Sequence, residues 1–150
     1  MKLFLDTNVL LDLYEQRHPF YEDVKKLQIM EAMGDAELWC SAKSFTDMFH
    51  IMKPRYDSEA IQRAFENSFE FLHICGIDGS DVKGAIDLKR KDFEDCVIDI
   101  AAQKTKADYL LTRDASDFGK AKTKVMSPHA FLTHMKEDYG LTYEEMDWWE

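Results

Sequence analysis

Aspartates occupy most of the positions in this 150-residue chain where side chains could do chemistry together. Asp6, Asp47, Asp92 with Asp95, and Asp114 with Asp117 fall at the ends of expected strands or on the first turns of expected helices. Asp6 follows the apolar run Leu3-Phe4-Leu5, and Asp114 follows Tyr109-Leu110-Leu111. Both should therefore emerge at strand carboxyl ends, the edge where open α/β sheets bind ligands. Convergence at one edge would bring carboxylates within about 5 Å, where each like-charge pair costs roughly 3 kcal/mol at an effective dielectric of 20. A cation must offset that repulsion, and all-oxygen ligation favours Mg²⁺ or Mn²⁺. The chemistry natural to such a site is phosphodiester hydrolysis, with hydroxide generated from bound water and the leaving oxygen stabilised. The Thr112 hydroxyl is a candidate to orient a carboxylate or a water.

Each aspartate taken alone has a structural alternative, because Asp at a helix start caps exposed amides and suits the positive end of the dipole. Softer metals find no support. His18, His50, His73, His129 and His134 lack ligand spacing, and Cys40, Cys75 and Cys96 are odd in number and far apart. That cysteine usage fits a reducing cytoplasm. Asp6 breaks the first apolar stretch too early for a signal peptide, and no run approaches a membrane span.

The elements that must position these residues alternate. Residues 2–5 read as a buried strand, followed by a helix capped by Thr7 or Asn8 and ending before Pro19, which leaves the Asp6 carboxylate free. A helix over 19–33 stopped by Gly34, a strand over 37–40, and a helix from the Ser41 cap to Ile51 follow, with Asp47 in that helix's second turn. Next come a helix over 58–71, a strand over 73–77, and turn chemistry at Asp78-Gly79-Ser80. The segment 92–104 reads as a helix with Phe93, Val97, Ile100 and Ala101 on its apolar face and Asp92, Asp95 and Asp99 as an acidic stripe beside it. A strand over 108–112, a short strand near Val125 and a helix opened by Pro128 complete the chain. Strands alternating with helices indicate an α/β domain with a parallel sheet. It should span 1–138, with an acidic aromatic tail over 139–150.

The formal net charge of −10 argues against nucleic acid as a partner, since phosphate binding is driven by Lys and Arg. Its distribution weakens that objection. Lys83, Lys89, Arg90 and Lys91 precede the third acidic cluster, and Arg113, Lys120, Lys122 and Lys124 surround the fourth. Lys89, Arg90, Lys91 and Arg113 are the weak candidates for contact with RNA, against the plainer reading of solvated lysines on loops and helix faces.

Four segments together resemble the PIN-domain ribonucleases, the fold of VapC-type toxins. They are Leu3-Phe4-Leu5-Asp6-Thr7-Asn8-Val9-Leu10-Leu11-Asp12, Ser41-Ala42-Lys43-Ser44-Phe45-Thr46-Asp47, Asp92-Phe93-Glu94-Asp95, and Tyr109-Leu110-Leu111-Thr112-Arg113-Asp114 through Asp117-Phe118. Each is weak alone; in this order and spacing they are specific, and the likeness covers roughly residues 1–135. The resemblance implies a three-layer α/β/α domain with a mainly parallel sheet and a metal-dependent endoribonuclease using Mg²⁺ or Mn²⁺. Carried over by position, Asp6, Asp95 and Asp114 would be the principal metal ligands, and Asp117 an additional or water-mediated one. Asp47 would join the catalytic set where the family usually has Glu, one methylene longer, so that Asp47 would reach the metal only through water. Asn8 would orient Asp6, with Asp92 and Thr112 in similar supporting places. Homodimers and a small antitoxin protein are the partners the resemblance implies, beside RNA.

Two other classes compete. A phosphoaspartate protein also ends its first strand in Asp, but needs a partner lysine or a second motif aspartate that Thr7 and Asn8 do not supply. A metal-free module binding RNA or protein on the same scaffold is the other. The tail, with Tyr139, Tyr143, Trp148 and Trp149 among its acids, should pack on its own domain or a dimer mate, or else cover the RNA groove as a mimic of phosphate.

Overall fold

The computed structural model describes residues 1–144. Five strands, β1 (Lys2–Leu5), β2 (Glu37–Ser41), β3 (Leu72–Cys75), β4 (Tyr109–Leu111) and β5 (Val125–Met126), form one sheet in the order β3-β2-β1-β4-β5. Every pairing is parallel. The chain builds outward from β1 to β2 and β3, then returns to place β4 on the other side of β1. The crevice between β1 and β4 is therefore a switch point, where connections leave in opposite directions and side chains at the strand ends face open space.

The helices are α1 (Thr7–Tyr14), α2 (Phe20–Ala32), α3 (Ala42–Met52), α4 (Ser58–Ser68), α5 (Gly79–Asp87), α6 (Phe93–Lys104) and α7 (Pro128–Tyr139). They cover both faces of the sheet, as period-two side-chain alternation requires of a strand buried on both sides. Leu3, Leu5, Leu38 and Leu111 face the layer built from α1, α2, α3, α4 and α7, where Val9, Leu10, Leu27, Met48, Ile61 and Phe131 are buried. Phe4, Leu110 and Cys75 face Ile98, Ala101 and Ala102 of α6 on the opposite side. The result is a three-layer α/β/α domain whose sheet is wholly rather than mainly parallel. Among the described residues no helix is long and apolar enough to cross a membrane, and the three cysteines are buried and free.

Three local expectations are corrected. Thr7 and Asn8 do not cap α1. Asp6 does, its Oδ1 accepting the Thr7 amide at 2.8 Å, so its carboxylate is not free. The turn at Asp78 opens a full helix, α5, through a reciprocal capping box: Asp78 Oδ1 accepts the Asp81 amide at 3.1 Å and Asp81 Oδ2 accepts the Asp78 amide at 3.0 Å. Asp81 then pairs with Lys104 at 2.7 Å, tying α5 to α6. On α6 itself Phe93 is exposed, whereas Cys96, Val97, Ile98, Ala101 and Ala102 are buried, because α6 lies between the sheet and α5 and is covered on two sides.

After α7, Gly140 takes the left-handed conformation (φ 67°) that ends a helix without a Cβ clash. The chain then turns back so that Tyr143 is buried and its hydroxyl donates to Asp35 Oδ2 at 2.9 Å. Asp35 lies two residues before β2, at the edge of the sheet opposite Asp6. Trp148 and Trp149, on which the tail's anchoring was expected, lie outside the described residues.

Candidate active site

Thr112 is the residue around which the site is organised. It is fully buried at the end of β4, and its hydroxyl donates to Asp6 Oδ2 at 2.9 Å. Thr112 Oγ1 itself accepts from Asn8 Nδ2 at 3.1 Å and from the Asp114 amide at 3.2 Å. Asn8 Nδ2 also reaches Asp114 Oδ2 at 3.1 Å, and Asn8 Oδ1 accepts the Arg113 amide at 3.3 Å. The end of β1, the first turn of α1 and the turn after β4 are thus joined into one network. Asp6 and Asp114 flank the switch point, close enough for the Asp114 charge to act on Asp6. Burial pushes the Asp6 carboxyl above its ordinary pKa, against the lowering by its bonds to Thr112 and Thr7, with Asp114 and Glu94 adding repulsion.

Asp95 comes to the same edge from the first turn of α6. Its pKa is raised to about 7, first by burial, then by a side-chain hydrogen bond with Asp92 that favours the protonated form, and by the Asp92, Asp6 and Asp117 charges. Asp92 is the N-cap of α6, its Oδ1 accepting the Asp95 amide at 3.2 Å, so the capping role and proximity to the cluster coexist. Among the described residues no donor reaches the buried Asp95 Oδ2 atom. A buried carboxylate oxygen left unmatched is costly, and a cation is the group that would satisfy it. A cavity of about 300 Å³ opens beside it, lined by Asp92, Asp95 and Asp117 together with Arg90, Lys91 and Lys120. A larger cleft of about 650 Å³, lined by Trp39, Lys104 and Lys106, holds none of these aspartates.

The donor set is chemically suited to a hard divalent cation, since every candidate ligand is a carboxylate. Among the described residues, no three acidic, histidine or cysteine side chains stand close enough together to hold an ion as they are.

Not every expected residue joins the cluster. Asp47 turns to Lys43, one helical turn earlier on α3, and the Lys43 ammonium also pairs with Glu94 at 2.9 Å. Arg113, expected to contact RNA, instead donates Nε–H to Asp12 Oδ2 at 2.7 Å and lies 4.2 Å from the centroid of the Phe20 ring. The physical reason is Asp12, which is fully buried on α1 and requires a cation. Arg90 and Lys91 line the cavity, whereas Lys89 precedes them in a left-handed turn (φ 52°). Asp99, read as part of the acidic stripe, is buried, its carboxylate accepting the amides of Lys122 at 3.1 Å and Thr123 at 3.2 Å, so that it pins the loop before β5 to α6.

Lys43, Glu94 and Asp12 were not singled out from sequence. The signals were present: Lys43 and Asp47 stand four apart on a helix, Glu94 is in the first turn of α6, and Asp12 is the single acid in the buried stripe of α1.

Comparison with known proteins agrees with this fold. The family model of the PIN domain matches residues 2–116. No curated protein matches the chain. Among solved structures, VapBC2 from Rickettsia felis bound to a DNA fragment from its promoter superposes with a TM-score of 0.64 at 14% identity, over 85% of this chain and 98% of that one. A toxin–antitoxin complex from Klebsiella pneumoniae gives 0.62 at 19% identity, over 84% and 97%. Mycobacterium tuberculosis VapC20, described as a Sarcin-Ricin loop cleaving toxin, gives 0.61 at 13% identity, over 78% and 95%. These likenesses are of fold. With most of its length matched by the family model, this chain belongs to the PIN-domain family.

Proposed function

We propose that this protein is a divalent-metal-dependent endoribonuclease and the toxin of a toxin–antitoxin pair. The observation that carries the reading is Asp95: a carboxylate whose buried Oδ2 is reached by no donor among the described residues and whose pKa is raised to about 7, set among Asp92, Asp6 and Asp117 at the switch point of a PIN domain. Asp6, Asp95 and Asp114 would hold Mg²⁺ or Mn²⁺, with Asp117 assisting. The ion, when bound, supplies a hydroxide from water at neutral pH and charge stabilisation for the leaving oxygen. The chain's own residues do the rest. Thr112 and Asn8 hold Asp6 and Asp114 in fixed orientation, and the N-terminal turn of α6 presents Asp95 with its dipole favouring the ionised form. Arg90, Lys91 and Lys120 on the cavity wall offer cations to the RNA backbone. The Klebsiella and Rickettsia structures are a toxin–antitoxin complex and VapBC2, and the Mycobacterium protein cleaves the sarcin–ricin loop; these support a protein antitoxin as partner and RNA as substrate.

The test is 5′-end sequencing of total RNA incubated with the protein and Mn²⁺, beside a chelator control and the Asp6→Asn, Asp95→Asn and Asp114→Asn variants. New ends that require both metal and all three aspartates support the nuclease. Their absence overturns it in favour of a metal-free binding module, a reading for which the engagement of Asp47 by Lys43 is the specific argument. Thermal melting separates the two independently: a metal-binding pocket gains about 2.7 kcal/mol at a hundredfold excess of Mn²⁺ over Kd, and a metal-free module gains nothing.

A further inference from the structure

Lys43 has a place that the proposed chemistry leaves unused. It stands on the first turn of α3, immediately after β2, at the same carboxyl edge of the sheet as Asp6. Ser44 beside it shares a hydrogen bond with Thr7 at 2.9 Å, which fixes the start of α3 against the start of α1. The Lys43 ammonium spans from Asp47 on its own helix to Glu94 on α6, so it joins the starts of these two helices. Glu94 is in turn near enough for its charge to act on Asp6. An ammonium has three donors. Two are used on these carboxylates, and the side chain retains 29% of its exposure, so a third can face the cleft.

We propose that Lys43 binds a backbone phosphate of the RNA next to the scissile bond, positioned by its pairing with Asp47 one turn along α3; this rests on the ribonuclease reading above. The acidic edge repels a polyanion, and a cation fixed at the start of α3 gives the phosphate a defined point of attachment. It also accounts for an aspartate at position 47. The shorter side chain pairs with a lysine one turn away rather than reaching toward Asp6 and Asp95, neither of which feels the Asp47 charge among its principal influences. The two flanking carboxylates keep Lys43 charged, raising its pKa despite partial burial.

The experiment measures affinity of a short single-stranded RNA by fluorescence anisotropy across a series of salt concentrations, with Mn²⁺ present and Asp95→Asn in all proteins to stop cleavage. Lys43→Gln, Lys43→Arg and Glu94→Gln are compared on that background. Loss of one phosphate contact on a single strand lowers the slope of log K against log salt by about 0.7. Lys43→Gln should show that change with roughly tenfold weaker binding at low salt, and Lys43→Arg should restore the slope. Glu94→Gln should bind as well or better, since it removes a negative charge and leaves the lysine in place. If Lys43 only clamps α3 to α6, Glu94→Gln will weaken binding as Lys43→Gln does, and the proposal falls. It also falls if Lys43→Gln leaves the slope unchanged while the protein without the Asp95 substitution cleaves RNA. No cleavage by that protein would overturn the ribonuclease reading and this one together.

Discussion

The Thr112 hydroxyl donates to Asp6 Oδ2 at 2.9 Å across the crevice between β4 and β1, and accepts from both Asn8 and the Asp114 amide. Thr112→Val keeps the shape and removes all three bonds in a fully buried position. We expect a stability loss of about 1–3 kcal/mol in denaturant unfolding, because the partner groups lose their match, together with a fall in cleavage rate. Thr112→Ser should retain most of both. Equal behaviour of the two variants would show that the hydroxyl is idle.

Asp95→Asn tests the crowding of carboxylates by pH. A folded pKa raised to about 7 means that the native state holds a proton the unfolded chain gives up near pH 4. Stability from this group is therefore complete below about pH 4 and is lost as pH rises toward 7. In metal-free buffer at pH 8 the variant should be more stable than wild type by ~1–2 kcal/mol after allowance for solvent screening, and the difference should vanish near pH 4. Thermal melting at the two pH values measures it. A variant less stable at pH 8 contradicts the crowding.

Arg113 is the counter-ion of buried Asp12. Arg113→Ala should destabilise by about 3–5 kcal/mol, since the carboxylate would be left without a cation. Adding Asp12→Asn should recover part of the loss in the same chemical denaturation experiment. Were Arg113 instead a free RNA contact, its removal would lower RNA affinity and leave the unfolding midpoint in place.

Asp99 lines the same cavity as Asp95 and Asp117, but its carboxylate is taken up by the loop before β5, which makes it a control separate in role. Asp99→Ala leaves the Lys122 and Thr123 amides unmatched and should cost about 1–3 kcal/mol of stability. The increment in melting temperature on adding Mn²⁺ should persist. Loss of that increment would place Asp99 among the metal-holding residues.

The amino-acid sequence alone determined the layered α/β domain and the candidate acids, because those depend on local physics. The short apolar run Leu3-Phe4-Leu5, ended at once by Asp6, reads as a buried strand, and Ser41 and Asp92 stand where residues of their type cap the helices that follow. The missed helix α5 has a physical cause. Gly79 and Gly84 lower its intrinsic propensity, and its capping box and the Asp81–Lys104 pair hold it against α6. Only the tertiary structure decided which acids meet. Asp95 and Asp99 are one turn apart on α6, yet one ends at the open switch point and the other under the loop before β5, because helix rotation is set by what packs on each side. Asp47 faces Lys43 rather than Asp6, and Arg113 turns to Asp12, since an ionised group settles beside the nearest opposite charge that burial makes available. The Arg113–Asp12 pairing and the diverging places of Asp95 and Asp99 depend on contacts between residues far apart in the chain, which no local pattern encodes, whereas the Lys43–Asp47 pair was within local reach.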